Sequence, residues 1–183
     1  MSEKIITSCL PLSCEEYNNN GDDFVKTLVV YDSYTGTTEK CAKMLAELLQ
    51  NADLVNLSNQ KVSKLEDYDC VVIGSYIHAG KISKKVKRFC QENLEKLKGK
   101  KIGIYLCMLR EQDGLEEYIP SNFDQQLLSY VKVKDFFGGE LNYDKMNFVF
   151  RFILKQIEKK AKPKLGLRIE RINAFAQKLM DQL

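Results

Sequence analysis

Between an apolar run and an amphipathic one lies the hexapeptide Ser33-Tyr34-Thr35-Gly36-Thr37-Thr38, with four Ser or Thr hydroxyls in six positions. Hydroxyls and a glycine at such a junction are the means to hold an anion. A helix that starts in the loop leaves its first backbone N–H groups without intrahelical partners, and its dipole favours negative charge there. Gly36 permits close backbone approach, and Ser33, Thr35 and Thr38 add neutral donors around the same oxygens. An ordinary N-cap uses one hydroxyl, so a phosphate is the reading that employs the rest. Neither a Gly-Lys-Ser/Thr P-loop nor a fingerprint of three spaced glycines occurs in the chain.

Such a loop needs a strand before it and a helix after it, and both are legible. Residues 25–32 are a short run rich in β-branched types, as a central parallel strand requires. From Thr37, apolar residues recur at Cys41, Met44, Leu45, Leu48 and Leu49, which is helical spacing. Further strands are expected over 52–58, 68–77, 100–109 and 131–139. A helix bearing Val86, Phe89, Cys90, Leu94 and Leu97 on one face should run to Gly99. Residues 110–122 read as a polar loop, 123–131 as a short helix and 143–162 as a long helix closed by Pro163. The final helix carries Ile169, Ile172, Phe175, Ala176, Leu179 and Met180 on one stripe. Strands alternating with helices predict an α/β fold whose parallel sheet is covered on both faces.

The whole composition bounds the function. A chain of 183 residues suits one domain, expected over 25–183, preceded by an extension over 1–24 that ends in a breaker cluster. The net charge of +3 is too small to imply nucleic acid as a partner. Six cysteines show no repeated metal-ligand spacing; four sit in apolar patterns that predict buried, reduced thiols, while Cys9 and Cys14 lie in the polar leader. No apolar run approaches a membrane span and the leader makes a poor signal peptide, so a cytoplasmic protein is expected.

The segment Ser33 to Thr38 resembles the flavodoxin phosphate loop, in which Ser or Thr leads into Thr-Gly-x-Thr. The resemblance runs from about Lys26 to the end. It implies a flavodoxin-like, doubly wound, five-stranded parallel sheet of order 2-1-3-4-5 with FMN at the switch between strands one and three. It further implies FMN contacts from Ser33, Tyr34, Thr35, Gly36, Thr37 and Thr38. Ser75, Tyr76, Ile77, His78, Ala79 and Gly80 after strand three, with Met108 and Leu109 after strand four, would flank the ring. Segments 68–89 and 136–157 are similar to those of the menaquinone-dependent protoporphyrinogen oxidase group, with Gly139, Leu141, Tyr143 and Arg151 at matching places. The stretch between the inserted helix and the last one is shorter here, and the group's acidic lead into that helix is missing. An FMN-dependent oxidoreductase working with a quinone or a protein partner is thus implied, with a plain electron carrier as the alternative. A flavin-free binding protein is the third class.

The helix expected over 143–162 carries six Lys or Arg against two acids. Met146, Val149, Phe150, Ile153 and Ile157 form one apolar stripe, while Phe148 and Phe152 face the other way among basic residues. Such a two-sided helix fits a membrane surface, a quinone, a partner or a homodimer; packing within the domain fits equally. His78, the only histidine, could tune a flavin or move a proton. The basic run from Lys81 to Arg88 reads as a solvated helix face.

Overall fold

The computed structural model describes residues 25–50, 52–108, 115–140 and 166–182. Five parallel strands make the sheet: β1 (Thr27–Tyr31), β2 (Ala52–Asn56), β3 (Cys70–His78), β5 (Lys101–Cys107) and β6 (Val131–Phe136). A short strand β4 (Lys81–Ile82) pairs antiparallel with the end of β3. The order is β2-β1-β3-β5-β6, which is the expected 2-1-3-4-5 once β4 is counted. The expected leader over 1–24 and helix over 143–162 lie outside the described residues.

Alternation along the strands divides the core in two. Leu28, Val30, Val71, Ile73, Ile102, Ile104 and Leu106 face one layer. That layer is covered by α2 (Lys84–Glu92), α3 (Leu94–Leu97), α4 (Leu115–Asn122) and α5 (Gln125–Leu128). Val29, Tyr31, Cys70, Val72, Tyr105 and Cys107 face the other, under α1 (Thr37–Leu48) and α6 (Ile169–Met180). Both faces being buried explains why these strands read as continuous apolar runs.

Three expectations are corrected. Residues 115–122 form α4 rather than a loop: Glu116 and Glu117 sit in its first turn, where the dipole favours them, and buried Ile119 anchors it despite Pro120. The single helix expected up to Gly99 is two, broken at Asn93, which closes α2 and opens α3. The strand expected over 131–139 ends at Phe136; Gly138–Gly139 then forms a separate strand β7, antiparallel to β8 (Gly166–Leu167). The chain therefore leaves the sheet at β7 and returns beside the same point at β8. Arg168 N–H donates to the Phe137 carbonyl (3.0 Å) and leads into α6.

Candidate functional site

The loop after β1 and the end of β3 meet at the sheet's carboxyl edge. Gly36 has φ 98°, the left-handed region that favours glycine, and provides no side chain to cap α1. The first-turn N–H groups of α1 are therefore left to a ligand or to water. Ser33 Oγ accepts from Gly36 N–H at 3.1 Å and fixes the turn. Thr35 Oγ1 and Thr37 Oγ1 lie 3.4 Å apart, and Thr37 also donates to the Glu140 carbonyl at 3.2 Å. The Glu140 carboxylate in turn receives Lys40 Nζ at 3.1 Å. Thr35, Gly36, Thr37, Lys40 and Glu140 border a cleft of about 310 Å³.

Thr38 is buried, and its hydroxyl reaches the Cys107 thiol; it partly offsets the upward push that burial gives that thiol. Cys107 Sγ lies 3.7 Å from Cys41 Sγ beneath the loop. The Thr38 carbonyl accepts from the Tyr105 hydroxyl at 3.0 Å, so a fully buried tyrosine from β5 holds the first turn of α1. Room for that ring comes from Gly74 on β3: a Cβ there would stand 2.2 Å from a Tyr105 ring carbon.

The second loop departs from expectation. β3 continues to His78, and Ala79 and Gly80 (φ 49° and 77°) make the two-residue turn into β4 that a tight hairpin requires. Tyr76 and His78 project beside Tyr34, with ring centroids 5.9 and 6.2 Å away. Burial, followed by the nearby Asp32 carboxylate, raises the Tyr76 phenol pKa, so it stays protonated. Ile77 pairs with Ile82 and packs on the core. Ser75 is wholly buried, and its hydroxyl accepts from Ser83 N–H at 3.0 Å. Met108 is buried, with its N–H on the Gly138 carbonyl; Leu109 lies outside the described residues. Ser33, Tyr34, Thr35, Gly36, Thr37, Tyr76 and His78 thus gather at one edge, while Ser75, Ile77, Thr38 and Met108 sit beneath it.

Sequence reading passed over Asp32. Its buried carboxylate accepts from Ser58 Oγ at 2.5 Å and from the Ser83 hydroxyl, with Lys85 Nζ 3.9 Å away. Ser83 caps α2 by accepting from Lys85 N–H. One carboxylate therefore ties the ends of β1 and β2 to the start of α2. The available signals were a lone acid between an apolar strand and a hydroxyl loop, and a serine before a helical run.

A profile of the family described as "Flavodoxin domain" matches residues 28–165. A flavodoxin of Aquifex aeolicus is 33% identical over 94 residues, covering 49% of this chain and 51% of the relative. An uncharacterised protein of Methanocaldococcus jannaschii is 38% identical over 66 residues, covering 36% and 43%. The chain thus spans about half the length of the curated relatives it matches. Among solved structures, a Streptococcus pneumoniae flavodoxin superposes with TM-score 0.55 at 17% identity, over 86% of this chain and 99% of that one. Oxidised flavodoxin 1 of Bacillus cereus gives 0.54 at 15%, over 86% and 99%. The rubredoxin oxygen:oxidoreductase of Desulfovibrio gigas gives 0.55 at 16%, over 86% of this chain and 35% of that one. These likenesses establish the fold.

Proposed function

The chain belongs to the flavodoxin-domain family, and on that premise we propose that it is an FMN-binding electron-transfer protein. The observation that carries this reading is the uncapped N-terminus of α1, opening into a loop of neutral hydroxyls at the carboxyl ends of β1 and β3. That donor set fits a terminal phosphate: uncapped backbone N–H groups and neutral hydroxyls line the loop, and the Glu39 and Glu140 carboxylates that also border the cleft are each paired with a lysine. When bound, FMN supplies the electron transfer, and the protein supplies binding and orientation. Thr35 would hold a phosphate oxygen, Thr37 would do so by turning its hydroxyl from the Glu140 carbonyl, Gly36 would let the backbone close on them, and Tyr76 and His78 would border the ring. Names support the same reading, since several relatives are flavodoxins.

Oxidation of an organic substrate, as in the protoporphyrinogen oxidase group, is the finer reading. It rests on the pattern of Gly139, Leu141, Tyr143 and Arg151. The same stretch carries the proposals of quinone or membrane-surface contact and of a homodimer. Residues 141–165 lie outside the described ones; among those described, no helix is long and apolar enough to cross a membrane. Turnover of a porphyrinogen with a quinone as acceptor separates the enzyme from the carrier.

The loop assignment is tested by titrating FMN into wild type and the Thr35→Ala/Thr37→Ala variant. Hydrogen bonds to a charged group are worth about 1.5–3 kcal/mol each. FMN affinity should fall at least ~tenfold, while riboflavin, which has no phosphate, should bind both proteins alike. Equal FMN affinities would overturn the assignment.

A further inference from the structure

From Lys81 to Arg88 the chain carries five basic side chains (Lys81, Lys84, Lys85, Lys87 and Arg88) and no carboxylate. All five are exposed. Among the described residues the one ion pair of these five is Lys85 Nζ with Asp32 at 3.9 Å, and Lys81, Lys84, Lys87 and Arg88 take part in none. Other surface lysines, such as Lys40, Lys43, Lys96 and Lys98, are matched with glutamates. Two of the four unpaired side chains, Lys81 and Lys84, border the candidate site itself. Lys81, Lys84 and Lys85 share a cleft of about 380 Å³ with Ser33, Tyr34 and His78.

We infer that this face docks an acidic redox partner protein against the edge of the site formed by Tyr34, Tyr76 and His78. The inference rests on the electron-transfer reading above, and it names the partner's chemistry. Unpaired like charges on one face produce a field that raises encounter rates with an oppositely charged surface and fixes its orientation. The fold holds the cluster in place from below. Val86, Phe89 and Cys90 of α2 are buried, Ser83 caps the helix, and Ser83 is fastened to Asp32. That arrangement also argues for a protein over a lipid surface. A membrane-binding helix turns an apolar face outward, whereas the apolar face of α2 is its buried one. None of the exposed large hydrophobic side chains among the described residues lies on α2.

The test measures binding of the FMN-loaded full chain to an acidic plant-type ferredoxin and to basic cytochrome c, by titration calorimetry at 20 and 200 mM salt (about 20 and 7 Å Debye lengths). FMN absorbance titration and melting temperature accompany every sample. Wild type should bind the ferredoxin in preference to cytochrome c, more weakly at the higher salt. Reversing the two charges that lie outside that cleft with K87E and R88E should weaken ferredoxin binding at least ~fivefold and leave melting temperature and FMN affinity unchanged. Ferredoxin binding that ignores the reversal, or wild-type preference for cytochrome c, overturns the inference. So does attachment to phosphatidylserine vesicles that is stronger than ferredoxin binding and is lost on the same reversal. If FMN fails to bind but the ferredoxin results hold on the unloaded chain, the docking face stands and the flavin reading falls.

Discussion

Gly74→Ala perturbs the site without touching any group that faces a ligand. The added Cβ would stand 2.2 Å from Tyr105 Cζ, 2.3 Å from its hydroxyl oxygen and 2.5 Å from Cε1. Carbon atoms in contact settle at about 3.5–4.0 Å, so the ring must retreat by more than ~1 Å. Its retreat is blocked on the far side. Tyr105 stacks on Phe137 at 4.7 Å, Phe137 meets Phe175 edge-on at 5.3 Å, and all three are fully buried. Overpacking of this kind costs about 1–3 kcal/mol. Losing the Tyr105 hydroxyl bond to the Thr38 carbonyl adds about 0.5–1.5 kcal/mol. At about 2–4 °C per kcal/mol for a domain of this size, melting temperature should fall by roughly 3–18 °C. FMN affinity should fall with it, because the first turn of α1 loses its clamp. Tyr105→Phe alone should cost only the hydrogen bond, about 1 kcal/mol. In a Tyr105→Leu background, Gly74→Ala should cost much less than in wild type, the mark of two residues sharing one space. Additive losses, or a Gly74→Ala protein that melts within a degree of wild type, would refute the clamp.

Two further outcomes follow from buried groups. Burial raises the Cys70 thiol to about 11 and the Cys90 thiol to about 12 from an ordinary value of 9.0. With folded values above the unfolded one, each thiol's contribution is complete below about pH 9 and is lost as pH rises toward 11–12. That loss is on the order of 1 kcal/mol per thiol by pH 10. The urea midpoint should therefore drop between pH 8 and 10, and less so in Cys70→Ala/Cys90→Ala; equal drops would exclude the thiols. Asp32→Ala removes the acceptor of the buried Ser83 hydroxyl and of the exposed Ser58 hydroxyl and should cost about 1–3 kcal/mol in urea unfolding. An unchanged midpoint would show that the carboxylate ties nothing together.

The sequence makes legible what is local. The apolar strands, the start of α1 in its hydroxyl loop and the 3.6-residue stripe of α6 each reside in one continuous segment. The sheet order then follows from the family likeness carried by Ser33 to Thr38. What escaped depends on distant packing. α4 contains Pro120 and follows Gly114, both breaker signals, and it forms because Ile119 is buried in the layer beneath. The β3–β4 hairpin turns through Ala79 at φ 49°, where the usual signal is asparagine, aspartate or glycine. The tertiary gain from pairing Ile77 with Ile82 and burying Ile82 outweighs that local preference.

The unforeseen parts of the site share a second property: they are polar links across long stretches of chain. Tyr105 reaches Thr38 over 67 positions, Ser83 reaches Asp32 over 51, and Thr37 reaches Glu140 over 103. No periodicity or short motif encodes a bond between residues so far apart; only the sheet order brings their loops together. Their effect on binding can still be argued. A hydroxyl loop between two strands would sample many shapes, and ordering its side chains on binding costs about 0.5–1.5 kcal/mol for each one immobilised. Here Ser33 holds the turn, Tyr105 holds the helix start, and Asp32 holds the residue before the loop to Ser58 and Ser83. Much of the ordering is therefore complete when the chain folds. Free energy that folding has already supplied need not be drawn from the phosphate contacts, so a site made of neutral hydroxyls and backbone N–H groups can hold an anion without a lysine in the loop.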